Sequence, residues 1–219
     1  MSLSFNEIEG AALKGARGAG FAWGLAEEAG YAARWLAERG FDWLPPLLAA
    51  CDAQLAGYKG DLTIDGASVS PAPGSRLCPI QIGAWIADRH EIAESLTLTK
   101  VRAPLLLLPS LDLLSTHCGT IALALRSTGP GGSASFRICR GELWAEPLPP
   151  AELVVDEALA QIDRAPASLE KGNVARLARP APIDPALADR LKALEMRTYV
   201  PASHHSRVAG AGAGLTDND

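Results

Sequence analysis

Four residues in the segment Gly18–Gly40, GAGFAWGLAEEAGYAARWLAERG, stand at spacings of four, three and four: Gly24, Glu28, Tyr31 and Trp35. On a helix, at about 100° per residue, they form one line along a flank. A carboxylate, a phenol and an indole on one line offer a small ligand hydrogen bonds and a stacking face. Glu28 is the acid–base candidate. The plainer reading of the same line is a flank packed on a second layer, because large aromatics bury area first. A second set of residues lies in the C-terminal SRVAGAGAGLTDND. Gly210, Gly212 and Gly214 alternate with alanine, and successive glycine N–H groups can wrap an anion that Arg207 clamps. No strand, glycine loop and helix start occur there in order, and G-K-[ST] is missing, so this is no phosphate loop. Its plainer reading is a mobile tail.

Other chemistries find less support. His204-His205 and His117-Cys118 are sequence neighbours, which point to opposite faces of a strand. No H-x-x-x-H or H-E-x-x-H occurs, so no metal centre is expected. G-x-S-x-G is absent, and Ser203 and Cys118 have only adjacent histidines. Glu27 and Glu28 diverge by about 100° on a helix and would not share a proton. Asp112 and Glu142 read as solvated.

The elements that position these residues follow from periodicity. Ser4 and Glu7 have capping-box spacing ahead of Ile8, Ala11, Ala12 and Leu13, which predicts a first helix over 5–17. Gly10 and Gly15 weaken it unless a close neighbour needs them. The next helix, 21–39, forms an antiparallel hairpin with the first. Ala22, Leu25, Ala26, Ala29, Ala32, Ala33, Leu36 and Ala37 make its apolar arc, with Leu25 and Leu36 as the main filling. Arg34 and Glu38 pair on the far side, and Gly40 closes the helix. Phe41 and Trp43 fold back onto it. Pro45-Pro46 starts a third helix ending near Leu55.

From Gly60 the pattern turns to strands. A hairpin is expected around Asp65-Gly66, a helix in the second half of 80–94, and strands at 95–101, 105–108, 121–126 and 134–144. The last two are joined by STGPGGS. Residues 151–165 open as a strand and finish as a helix. A final helix runs from Asp184 or Pro185 to about Arg197, with Leu187, Leu191 and Leu194 aligned.

At 219 residues, 48% hydrophobic and 21% charged, the chain suits one well-buried core. A net charge of −5 without a basic block argues against nucleic acid. No signal peptide or membrane span is read, and the four cysteines are expected as reduced, mostly buried thiols in the cytoplasm. The expected fold is α+β. A helical region, 1–58, packs on a β-rich core, 59–150, and 151–219 supplies a helix and tail that wrap back.

WGLAEEAGYAARWL (Trp23–Leu36) and TYVPASHHSRVAGAGAGLTDND, with SLSFNEIEGAALKGARGAG and APLLLLPSL, resemble a family of bacterial proteins known only as a domain of unknown function. The resemblance implies a bacterial, cytoplasmic, free-standing protein. It brings no activity, cofactor or catalytic residue. Two functions stay open. One is a non-catalytic interaction or accessory protein whose aromatic flank and tail contact a partner or a second copy. The other is a protein or metabolic enzyme binding an anionic metabolite between the 21–39 flank and the tail.

Overall fold

Ser4 opens the fold with a reciprocal cap: its hydroxyl oxygen accepts from the Glu7 N–H while the Glu7 carboxylate accepts from the Ser4 N–H. From there α1 (Phe5–Ala19) runs to Gly20, which closes it at φ 102°. The next helices are α2 (Trp23–Glu38) and α3 (Leu44–Leu55). The computed structural model describes residues 3–58, 60–89, 91–92, 94–129, 132–146, 156–166 and 174–199. Arg34 on α2 reaches back to Glu9 and Asn6, and Gly30 sits under the Glu9 carbonyl, so α1 and α2 are antiparallel. Glycine is required at that crossing, because a Cβ on Gly30 would stand 2.8 Å from the carbonyl oxygen.

After this helical layer come β1 (Leu62–Asp65), β2 (Ser68–Pro71), α4 (Pro79–Ala87), β3 (Ser95–Arg102) and α5 (Leu108–Cys118). Then follow β4 (Ile121–Ser127), β5 (Ser133–Cys139), β6 (Glu142–Glu146), β7 (Glu157–Arg164) and α6 (Pro185–Met196). The strands form one sheet in the order β1-β2-β3-β7-β4-β5-β6, antiparallel except for β2 against β3. Leu96, Ile162, Leu123 and Phe136 line up across four strands and are all buried beneath the helices. The next row, Thr97, Gln161, Ala124 and Ser135, lies on the opposite face and is half-buried or exposed. Period-two alternation therefore assigns one face to the core. The architecture is α+β: helices on one face of a mixed seven-stranded sheet, with α6 packed against α1.

Several elements differ from the sequence expectation. Residues 105–108 are not a strand. Pro104–Leu107 is a 3-10 turn that leads into α5, and all four leucines are buried. A short, uniformly apolar run carries no period to separate strand from helix; here Ala103 at φ 49° breaks the strand just before it. The stretch 134–144 is two strands, split by Arg140 and Gly141 at φ 47° and 88°. The expected helix after 155 is β7, which sits between β3 and β4. Its pattern alternates, with Ala158, Ala160 and Ile162 buried, and the small alanines hide that period from a hydropathy reading. The first hairpin turns at Gly66-Ala67, one residue later than expected, because Asp65 still pairs with Ser68. On α2, Leu36 is fully buried but Leu25 is only half-buried and Ala22 is exposed. Phe41 reaches the sheet, edge-on to Phe136 at 6.4 Å. None of the described helices is long and apolar enough to cross a membrane.

Candidate functional site

The line on α2 descends from solvent into the core. Gly24 is exposed, Glu28 and Tyr31 are half-buried, and Trp35 is buried. Desolvation pushes the Glu28 carboxyl above its ordinary range, and Asp88 and Glu27 add to the effect. Burial likewise raises Tyr31, with the Asp112 charge second. Arg207, Gly210, Gly212 and Gly214, the other half of the expected site, lie outside the described residues. So do His204 and His205.

Trp35 is engaged by a residue expected in solvent. Asp112, on α5, is buried, and its Oδ2 accepts from the Trp35 indole N–H at 2.7 Å. Its Oδ1 accepts from the Gly141 N–H at 2.6 Å. The guanidinium of Arg39 stacks 3.5 Å from the centre of the Trp35 ring. It also lies 3.5 Å from Asp112 and donates to the Gly141 carbonyl at 2.8 Å. Ser115 completes the set, donating to the Asp112 carbonyl and accepting from the Arg140 N–H. The expectation that Asp112 is solvated fails because the Arg140-Gly141 turn folds over it. This cluster has nearly every polar group matched, the Arg39 Nε excepted. Its geometry ties α2, α5 and the β5–β6 turn together, which is a structural role.

A different constellation has unmatched groups and space beside it. An extra residue in β3 shifts its register against β7 between Leu98 and Val101, and Lys100 takes φ 54° there. That bulge keeps Val101 in the core and sends Arg102 to the following position beside Glu157. The segment before α4 pairs with the same strand end: Leu77 donates to the Lys100 carbonyl, and Arg102 donates to the Leu77 carbonyl. Arg76 is thereby carried to the same corner. The end of β4 and the start of β7 close it, the Thr128 N–H donating to the Glu157 carbonyl.

At this corner a cavity of about 290 Å³ is lined by Arg76, Arg102, Ser127, Thr128, Gly129, Asp156 and Glu157. The Glu157 carboxylate is spent: Oε2 accepts from the Arg76 Nε at 2.8 Å and Oε1 from the Thr128 hydroxyl at 3.3 Å. That bond fixes Arg76 and leaves its terminal NH₂ groups. Arg102 is different, for its Nε is buried and has no hydrogen-bond partner. A buried, unmatched N–H is costly, and among the described residues no other atom of the Arg102 guanidinium is hydrogen-bonded or ion-paired either, although the residue lines the cavity. Arg76 and Arg102 also border a small apolar recess formed by Ala50, Ala53, Tyr58, Leu77, Cys78 and Pro79. There the Cys78 N–H donates to the Tyr58 hydroxyl oxygen at 3.2 Å.

Sequence reasoning missed this site. Arg76, Arg102, Ser127 and Asp156 come from four separate segments and form no motif. The one local signal was the STGPGGS loop beside a strand end, read as a hairpin tip. Among the described residues, no three His, Cys, Asp or Glu side chains gather as a metal site.

Residues 3–66 match a family described as a protein of unknown function (DUF3726). The match spans α1, α2, α3 and β1 and stops short of Arg76, Arg102, Ser127, Thr128, Asp156 and Glu157. Comparison with the curated proteins and with the solved structures gives no match.

Proposed function

We propose that this protein binds a small molecule carrying an anionic group at the sheet corner between Arg76 and Arg102. Arg102 lining an open polar cavity, its guanidinium without a hydrogen-bond or ion-pair partner among the described residues, is the observation that carries the reading. A guanidinium offers two parallel donors to a carboxylate or phosphate. No catalytic step is assigned. The cytoplasmic setting belongs to the same proposal and is supported by four free cysteines. Calorimetric titration of the intact protein with inorganic phosphate and with small carboxylates tests it. Saturable binding to at least one of them should weaken by about tenfold or more in Arg102→Ala, the loss of roughly one charge-assisted hydrogen bond. Equal affinity in Arg102→Ala would remove the site.

A second reading, an interaction or accessory protein, has its own support. Trp23, Met196 and Tyr199 are 61%, 56% and 51% exposed. Trp23 borders a broad groove with Lys14, Arg17 and Arg197. Exposed Trp, Tyr, Met and Arg are the types enriched where proteins meet. Native mass spectrometry across a concentration series checks this reading. Self-association or a co-purifying partner should be lost in Trp23→Ala, and a monomer in wild type and variant alike would count against it.

A further inference from the structure

The sheet-corner cavity has a second unmatched charge. Asp156 lines it, and no hydrogen bond or ion pair is made by its carboxylate among the described residues. Asp156 and Arg102 are close along the fold, since the Ala103 N–H donates to the Asp156 carbonyl at 3.2 Å. Yet their side chains are not joined to each other. The cavity thus holds one guanidinium and one carboxylate that are both unspent. Glu157 and Arg76 are already paired. Two residues of each sign leave no net charge at the corner.

This balance separates ligand classes. A simple dianion meets the two guanidiniums but also faces Asp156, a like charge. A molecule with an anionic end and a cationic donor uses both unspent groups at once. A neutral hydroxyl at the donor end gives Asp156 a weaker partner than an ammonium does. At about 290 Å³ the space lies at the small end of ligand pockets, which suits a compact metabolite.

We propose that the cavity takes a zwitterion of the α-amino-acid class, its carboxylate on Arg102 and the free NH₂ groups of Arg76, its ammonium on Asp156. The inference rests on the anion-site reading above and specifies its ligand.

The test titrates the intact protein by calorimetry with each standard L-amino acid, with the 2-hydroxy acid analogue of the tightest binder, and with inorganic phosphate. The variants are Arg102→Ala and Asp156→Asn; the second changes an exposed carboxylate to its isostere, and thermal melts confirm that both fold. One amino acid should bind more tightly than its hydroxy analogue and phosphate. Asp156→Asn should weaken that amino acid by about tenfold or more, the scale of a charge-assisted bond, and should not weaken the hydroxy acid, whose hydroxyl keeps an amide partner and whose carboxylate loses a like charge. If the hydroxy acid or phosphate binds as well as any amino acid, or Asp156→Asn has no effect, the zwitterion is wrong and the anion site stands. If nothing binds, or binding survives Arg102→Ala, both proposals fall.

Discussion

Removing the Asp112 carboxylate should be among the most damaging single changes in this protein. Asp112→Ala leaves Arg39 buried without its counter-charge, for the Arg39 side chain is only 1% exposed. The change also strands two donors, the indole N–H of Trp35 and the backbone N–H of Gly141. Each charge-assisted bond is worth about 1.5–3 kcal/mol, and breaking a buried ion pair by deleting one partner costs about 3–5 kcal/mol. These terms overlap, so the expected loss is about 3–5 kcal/mol in total. Against a stability of about 5–15 kcal/mol for an ordinary domain, that is a large share. Asp112→Asn should cost less, because its carbonyl oxygen can still accept from Gly141. Urea unfolding followed by far-UV circular dichroism measures both. A loss below about 1 kcal/mol for Asp112→Ala, within the range of exposed ion pairs, would refute the view that this cluster holds α2, α5 and the β5–β6 turn together.

Three further outcomes are expected. Gly18→Ala should lower the melting temperature, since its Cβ would collide with the backbone carbonyl of Leu194 and push α6 off α1, whereas Gly10→Ala, facing open space, should raise stability by about 0.5–1 kcal/mol. Glu28→Gln should raise the melting temperature at pH 7. The folded state holds the Glu28 carboxyl above its ordinary value of 4.5, so its ionisation destabilises the fold as pH rises through the raised value, and the gain from Gln should vanish as pH falls below 4.5. In native protein treated with iodoacetamide at pH 8, Cys51 and Cys78 should stay unmodified in peptide mass spectra. Both thiols are buried, Cys51 being pushed up to about 12, and alkylation needs the thiolate. Full labelling of both without unfolding would contradict their placement.

Local rules carried the helical part of the fold in the sequence. The Ser4–Glu7 cap, the alanine arc of α2, the proline start of α3 and the Asp184 cap of α6 each depend on residues within one or two turns of each other, so one dimension holds the information. The hairpin of β1 and β2 was legible within one residue for the same reason. Tertiary structure decided what local pattern left degenerate. Leu105–Leu108 has no period, and it is the left-handed Ala103 that ends β3 and lets the helical turn begin at Pro104. β7 is written in alanine, and its strand state comes from lying between β3 and β4. Asp112 looks like any polar residue on a short helix until the Arg140-Gly141 turn and Arg39, 73 residues away in sequence, close over it. The corner of Arg76, Arg102, Asp156 and Glu157 is the extreme case. A bulge, a bridge from Leu77 and the late insertion of β7 bring those residues together, and pairing between distant segments leaves no trace in spacing.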